Sequence, residues 1–236
     1  MKIIVLDEVD STQKIARKLC EKETGDFIVV AKRQTAGYGR KGNVWISPEG
    51  GLWFTMVIRN VKTNLSTLPM IIAISTAKTI EKHAKINIKL KWPNDLYIGG
   101  KKVGGILCET ILSGEEVKAI LVGIGLNVNI NEIPEEIKGK ATSIKIETGK
   151  EHNLMELLKM IVEEVYEDLK KPINEIMEEW LKRDILVGRN VELKVNGWRM
   201  KTYVSKINED GSITIKHDSL EAKIYYWKID GIEILN

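Results

Sequence analysis

The chain has 236 residues, 43% hydrophobic and 29% charged, the balance of a soluble globular protein rather than of a disordered one. Its formal net charge of +3, from 36 basic and 33 acidic residues, lacks the basic excess that marks a nucleic-acid protein. Cys20, Cys108, His83, His152 and His217 are scattered, with neither metal-ligand spacing nor a disulfide framework. The apolar start at Met1 to Leu6 is ended by Asp7, Glu8 and Asp10, too early for a signal peptide. No stretch approaches the roughly 18 apolar residues of a membrane helix, so a cytoplasmic protein without a membrane partner is expected.

Lys2 to Asp7 reads as a buried strand. Asp10 is the expected helix N-cap, with Gln13 completing a capping box, Ile15, Ala16 and Leu19 forming the apolar face, and Gly25 just past the end. Phe27 to Ala31 is a second strand, rich in β-branched residues. A Gly-containing stretch from Thr35 to Gly51 leads to the strand-like Leu52 to Ile58, and Ser66 to Ala84 carries helical periodicity. Strands follow at Ile86 to Leu90, Val103 to Glu109 and Val117 to Leu126, the last two joined by the turn signal Ser113-Gly114-Glu115. Asn153 with Glu156 starts a further helix, and Pro172 is expected to break it before Ile173 to Lys182.

After Gly188 the texture changes to short alternating runs, Val191–Val195, Arg199–Ile207, Ser212–Lys216 and Lys223–Tyr226, parted by Asn196-Gly197 and Asp210-Gly211. That pattern predicts a small antiparallel barrel or sandwich and a domain boundary near residue 186, giving domains 1–186 and 187–236.

Four segments carry candidate chemistry. Gln34-Thr35-Ala36-Gly37-Tyr38-Gly39-Arg40-Lys41-Gly42 sets glycines beside two cations, a composition suited to backbone N–H groups and a guanidinium converging on an anion. It is neither a Rossmann fingerprint nor a Walker A loop, and by itself it reads equally as a solvated basic loop. Lys91-Trp92-Pro93-Asn94-Asp95 is by itself a turn first, and a nucleotide or Mg²⁺ site second. Lys102 enters a Gly-containing apolar strand, Gly99 to Leu107, where an ammonium must either reach solvent or meet an anionic ligand. Gly123-Ile124-Gly125-Leu126-Asn127 again puts glycines on an apolar strand, as a bulge, tight packing or a close ligand requires.

In this order, the segments resemble the catalytic domain of biotin protein ligases. The resemblance rests on Asp10-Ser11-Thr12, Gln34-Thr35, Gly37-x-Gly39-Arg40-x-Gly42, Trp45, Ser47-Pro48, Gly50 to Trp53, Lys91 to Asp95, Lys102 with Gly104 to Ile106, and Gly123-x-Gly125-Leu126-Asn127. It covers most of residues 7 to 130. It implies an α/β fold (α+β) on a mixed sheet, related to class II aminoacyl-tRNA synthetases, followed by a small SH3-like β-barrel domain.

The resemblance also implies roles. Biotin would be held by Ser11, Thr12, Gln13, Gln34, Gly37, Tyr38, Gly39, Arg40, Lys102, Gly105 and Gly123. ATP and the adenylate would be held by Gly39, Arg40, Lys41, Gly42, Trp45, Asn94 and Asn127. Lys102, Arg40 and Asp95 would be catalytic, with Asp95 also a ligand of Mg²⁺. Biotin and MgATP would give biotinyl-5′-AMP, and a lysine of a biotin carboxyl carrier domain would then take the biotin and release AMP. A homodimer is expected of the family. Two positions depart from its pattern: Tyr38 stands where many relatives carry Arg, and Asn43 where others carry Arg or Lys. The sequence begins at the first catalytic strand, which predicts no helix-turn-helix segment and no DNA binding by that route. A lipoate ligase and a non-catalytic vitamin- or nucleotide-binding protein are the rival readings. The first lacks the Lys91–Asp95 and Gly-Arg pairing, and the second has no need of Lys102.

Overall fold

A computed structural model describes residues 1–235 apart from Asn60, Lys62 and Ser219. A seven-stranded sheet is formed by β1 (Lys2–Val9), β2 (Phe27–Gln34), β3 (Leu52–Ile58), β4 (Lys89–Lys91), β5 (Asp95–Ile98), β6 (Lys101–Ser113) and β7 (Glu116–Leu126). Its strand order is β1-β2-β3-β7-β6-β5-β4. β1 and β2 run parallel and the other neighbours antiparallel, so the sheet is mixed.

One face of this sheet is covered by α2 (Leu68–Ala84), α4 (Leu154–Asp168) and α5 (Ile173–Leu181), the other by α1 (Thr12–Leu19). Strand periodicity sorts the side chains between them. On β3, Leu52, Phe54, Met56 and Ile58 enter the large core with α2 and α4, while Val57 packs with Ala16, Cys20 and Phe27 under α1. Both faces being covered, every residue of β3 is buried, which is why its sequence reads as one apolar run.

Three expectations at the N-terminus and in the connections need correction. Lys2 to Asp7 is an edge strand with much exposed surface, because only β2 pairs with it and Asp7 and Glu8 face solvent to pair with Lys32 and Arg33. The helix cap is Ser11, whose Oγ accepts from Gln13 N; Asp10 instead accepts from Ser11 N, and Gln13 turns its side chain into the interior. The strand expected at Ile86 to Leu90 begins only at Lys89, and it turns at Lys91–Asp95 into β5, which alternation over so few residues did not reveal. The short helix α3 (Ile144–Thr148), capped by Ser143, was also missed.

The hairpin at Ser113-Gly114-Glu115, the Asn153 cap and the break at Pro172 form as the sequence predicts. The remaining strands, β8 (Arg189–Val195), β9 (Trp198–Ile207), β10 (Ile213–His217), β11 (Leu220–Ile224) and β12 (Gly231–Ile234), make a second, antiparallel sheet in the order β11-β10-β9-β8-β12. Asn196-Gly197 turns the β8–β9 hairpin with both residues at positive φ. The run expected at Lys223–Tyr226 ends at Ile224, since Tyr226–Lys228 form a single 3₁₀ turn leading into β12.

The two sheets are pinned together. Trp92 Nε1 donates to Gly211 O at 2.9 Å and Ser66 Oγ to Asp210 O at 2.5 Å. Gly211 sits at φ +81, and a Cβ there would lie 2.6 Å from Ser66 O. Among the described residues no helix is long and apolar enough to cross a membrane.

Candidate functional site

The alternation that buries α1 also builds a cavity. On the α1 face of β7, Ala119 and Leu121 pack under the helix. The same face continues with Gly123 and Gly125, paired with Leu107 and Gly105 of β6 and with Thr55 and Trp53 of β3. Side chains give way to bare backbone there, opening a cavity of about 690 Å³ against the N-terminus of α1.

At one end the wall is a buried polar chain. Gln34 Oε1 accepts from Thr12 N at 2.8 Å and from Thr12 Oγ1 at 3.2 Å, while Gln34 Nε2 donates to Ser47 Oγ at 2.8 Å. Thr55 Oγ1 lies 2.9 Å from both Thr12 Oγ1 and Gln13 Oε1, and Gln13 Nε2 reaches Leu121 O at 3.4 Å. Ser11, Thr12, Gln13 and Thr55 are all less than 5% exposed. Such a chain is retained in an interior because each member is hydrogen-bonded, and it presents donors and acceptors together.

The floor is fitted to Trp45. A Cβ on Gly125 would lie 2.6 Å from Trp45 Nε1 and one on Gly105 would lie 3.3 Å from the same ring. Trp45 Nε1 is buried without a hydrogen-bond partner, an orphan donor of the kind that ligand sites hold. Lys102 Nζ stands 5.1 Å from the centre of this ring and 2.7 Å from Asp95 Oδ1. The sequence left Lys102 a choice between solvent and an anion; the fold gives it a carboxylate, an aromatic face and the cavity.

The strand that carries Lys102 is fixed from its side. Lys102 N donates to Lys140 O and Thr142 N to Lys102 O, each at 2.9 Å. Asn127 Nδ2 donates to Thr142 O at 2.9 Å and Asn94 Nδ2 to Ile106 O of β6 at 2.6 Å, so both asparagines tie neighbouring backbone with their amide nitrogens.

The basic loop lies across the cavity mouth. Arg40 Nη2 donates to Tyr226 O and Ile229 O, and its guanidinium sits 5.1 Å from the Tyr226 ring. Burial presses the Arg40 pKa below its ordinary value, with the charge of Asp95 opposing. Lys41 pairs with Asp230 at 3.4 Å. Tyr38 OH reaches Glu109 Oε2 at 3.3 Å, and Arg17 holds the same oxygen at 3.0 Å. Burial first and then the Glu109 charge push the Tyr38 hydroxyl up to about 12. Lys91, also lining the cavity, is pressed downward by burial, with Asp95 opposing and Lys102 reinforcing.

Of the sequence candidates, Ser11, Thr12, Gln13, Gln34, Tyr38, Gly39, Arg40, Trp45, Asn94, Asp95, Lys102, Gly105, Gly123 and Asn127 all line the cavity. Gly37 lies under the loop, where a Cβ would meet Trp45 O at 2.6 Å; Lys41 and Gly42 are exposed on its outer side. Sequence reading missed Thr55, whose signal was one hydroxyl in an otherwise apolar strand, and the wall formed by Glu136, Ile137, Lys140, Ala141 and Asp230 to Ile232. Two of the histidines that are far apart in sequence meet in the fold, the His83 and His152 rings lying 5.2 Å apart. Among the described residues, no group of three or more His, Cys, Asp or Glu is arranged to hold a metal.

A mixed sheet with a glycine floor, a polar chain at one end and four cations about its mouth defines a binding domain for a small, partly polar anionic ligand. Residues 5–127 match the Biotin/lipoate A/B protein ligase family. The bifunctional ligase/repressor BirA of Bacillus subtilis (strain 168) is 32% identical over 237 residues, covering 94% of this chain and 72% of that protein. The biotin--[acetyl-CoA-carboxylase] ligase of Paracoccus denitrificans is 36% identical over 128 residues, covering 52% of this chain and 53% of that one. The solved biotin protein ligase from Aquifex aeolicus in complex with biotin and ATP aligns with a TM-score of 0.87 at 34% identity, covering 99% of each chain. The chain belongs to the biotin/lipoate protein ligase family.

Proposed function

We propose that this chain is a biotin protein ligase, which activates biotin with ATP as biotinyl-5′-AMP and transfers it to a lysine of a carrier domain. The observation that carries the reading is Lys102, set 2.7 Å from Asp95 and over Trp45 at the junction between the glycine floor and the basic loop. A carboxylate attacking a phosphate gathers negative charge, and a cation held in a protein wall stabilises it more than one in water does. Lys102 serves there, with Arg40 on the departing phosphates. Asp95 holds Lys102 in place and stands by to orient the incoming amine.

The polar chain of Thr12, Gln13, Gln34 and Thr55 favours biotin over lipoate, since a ureido ring needs donors and acceptors where a dithiolane needs an apolar pocket. The apolar arm of the vitamin lies over Gly105 and Gly123. Asn94 and Asn127 contribute through their amides to the nucleotide end. The acyl-adenylate hydrolyses in water, so the loop from Gly37 to Trp45 protects it by closing the mouth.

Among the carboxylates that line the cavity, Asp95 is already paired with Lys102, so a bound Mg²⁺ would be held chiefly through phosphate oxygens. Mg²⁺ carried in with ATP would supply charge neutralisation on the phosphates. The acceptor is a biotin carboxyl carrier domain, residues 187–236 form a small SH3-like domain closing one side of the cavity, and the working form is a homodimer.

The test is incubation with ATP, Mg²⁺ and either biotin or lipoate, followed by mass spectrometry of the small molecules. Biotinyl-AMP with biotin and no acyl-AMP with lipoate is the expected result. Lipoyl-AMP alone, or no adenylate from either acid, refutes the proposal.

A further inference from the structure

We infer that the 226–230 segment of the second sheet is a latch for the basic loop, and that Tyr226 is a positioning residue for Arg40. The inference rests on the ligase reading above and adds a task for the second sheet within it.

Arg40 and Tyr226 lie 186 residues apart in sequence, yet Arg40 Nη2 donates to Tyr226 O at 2.5 Å and to Ile229 O at 3.4 Å. Its guanidinium also lies 5.1 Å from the Tyr226 ring centre, a cation–π distance. One residue on, Lys41 Nζ pairs with Asp230 Oδ1 at 3.4 Å. Two successive loop cations are thus tied to one short segment. Tyr226–Lys228 form a 3₁₀ turn, and Asp230 N donates to Lys194 O at 2.7 Å, so the segment is anchored to its own sheet. Gly231 and Ile232, which follow it, line the cavity.

The chemistry of these contacts decides what the latch does. Carbonyl oxygens and an aromatic face hold a guanidinium without neutralising it. A carboxylate in their place would cancel the charge that the phosphates need. Two carbonyls occupy one terminal nitrogen of Arg40, and a guanidinium keeps its other donors for a second partner. Arg40 and Asp95 both line the cavity. Tyr226 and Ile229 therefore orient Arg40 across the mouth before a ligand arrives, and the loop has less freedom to lose when it closes. Lys41 with Asp230 is a surface pair that adds a second, weaker tie.

A loop held in this way should retain the adenylate, and a loop set free should lose it. The experiment measures two rates in the full-length protein without carrier: pyrophosphate formation in the first turnover, and escape of biotinyl-AMP into solution, trapped by hydroxylamine. Tyr226→Ala is expected to raise the escape rate, relative to synthesis, by about fivefold. Tyr226→Phe, which keeps the ring and the backbone carbonyl, should behave as wild type. Asp230→Ala should raise escape by about twofold, since the pair it removes is exposed.

Escape from Tyr226→Ala within experimental error of wild type, at an unchanged unfolding midpoint, overturns the latch, as does a Tyr226→Phe variant as leaky as Tyr226→Ala. If Tyr226→Ala does not fold, Tyr226→Leu decides on the same two criteria. A wild type that forms no biotinyl-AMP at all counts against the ligase reading, whereas a wild type that forms it beside an unleaky variant counts against the latch alone.

Discussion

Replacing Lys102 by Met keeps the length and apolar stem of the side chain and removes only the ammonium, so it separates charge from packing. The Lys102–Asp95 pair is partly open to solvent, with 31% and 22% of the two side chains exposed. At such exposure an ion pair stabilises a fold by no more than about 1 kcal/mol. In a chain of this size that amounts to roughly 2–4 °C in the unfolding midpoint. Asp95 retains access to solvent after the substitution, so it does not become a stranded buried charge. The effect on chemistry is expected to be far larger. Removing one preorganised electrostatic donor from a site where negative charge develops costs about 2.7–4 kcal/mol, or about 10²–10³ in rate. The first turnover with biotin and MgATP, followed by pyrophosphate release in a rapid-quench assay, should therefore slow by that factor while the melting midpoint moves by less than about 5 °C. A rate within about threefold of wild type would refute the assignment of Lys102 to the acyl–phosphate junction. So would a loss of activity matched by an equal loss of folded protein.

Gln34→Ala strips the oxygen that serves Thr12 N and Thr12 Oγ1 and the nitrogen that serves Ser47, leaving partners unserved. Biotin affinity by titration calorimetry should fall about five- to 150-fold, against little change in ATP affinity. Gly211→Ala places a methyl 2.6 Å from Ser66 O at a φ of +81, and the urea midpoint should drop by the equivalent of roughly 2–4 kcal/mol. Asp168 is fully buried and bonded to Ser75, Lys78 and Lys171; Lys78 keeps Glu164 as a partner, so Asp168→Ala should destabilise by about 1.5–3 kcal/mol. Burial pushes the Asp168 pKa up, but the hydrogen bonds from Lys171, Lys78 and Ser75 outweigh it and hold the group below the ordinary aspartate value. A depressed folded pKa stabilises above the unfolded value and stops doing so as pH falls through the folded one. Wild type should therefore lose stability below about pH 3.8 more steeply than Asp168→Ala does, as equilibrium unfolding across that range will report.

Much of the fold was legible in local pattern. The apolar run Leu52–Ile58, the periodic helix ending at Ala84, the Asn153 cap, the Pro172 break and the Ser113-Gly114-Glu115 hairpin all act within a few residues, and local chemistry decides them. What local pattern misjudged was burial and edge position. Lys2 to Asp7 is as apolar as a core strand but has a neighbour on one side alone, and strand order is set by pairings between residues far apart. The short strands β5 and β12 exist because longer neighbours hold them in register, not because a few residues alternate.

The site divides in the same way. Its residue types were set by sequence: a Gly-Arg loop, a lysine in a strand of glycines, an asparagine–aspartate turn. Their order along the chain resembles that of the biotin protein ligases. Only the tertiary structure decided that Gly105, Gly123 and Gly125 share one face, that Lys102 meets Asp95 and Trp45, and that Thr55 joins the polar chain. It alone carried Arg40 to a tyrosine 186 residues away. Composition and spacing specify which groups a chain can offer an anion. Which of them converge depends on sheet register and on the second sheet folding back over the first, and both are properties of contacts between distant residues.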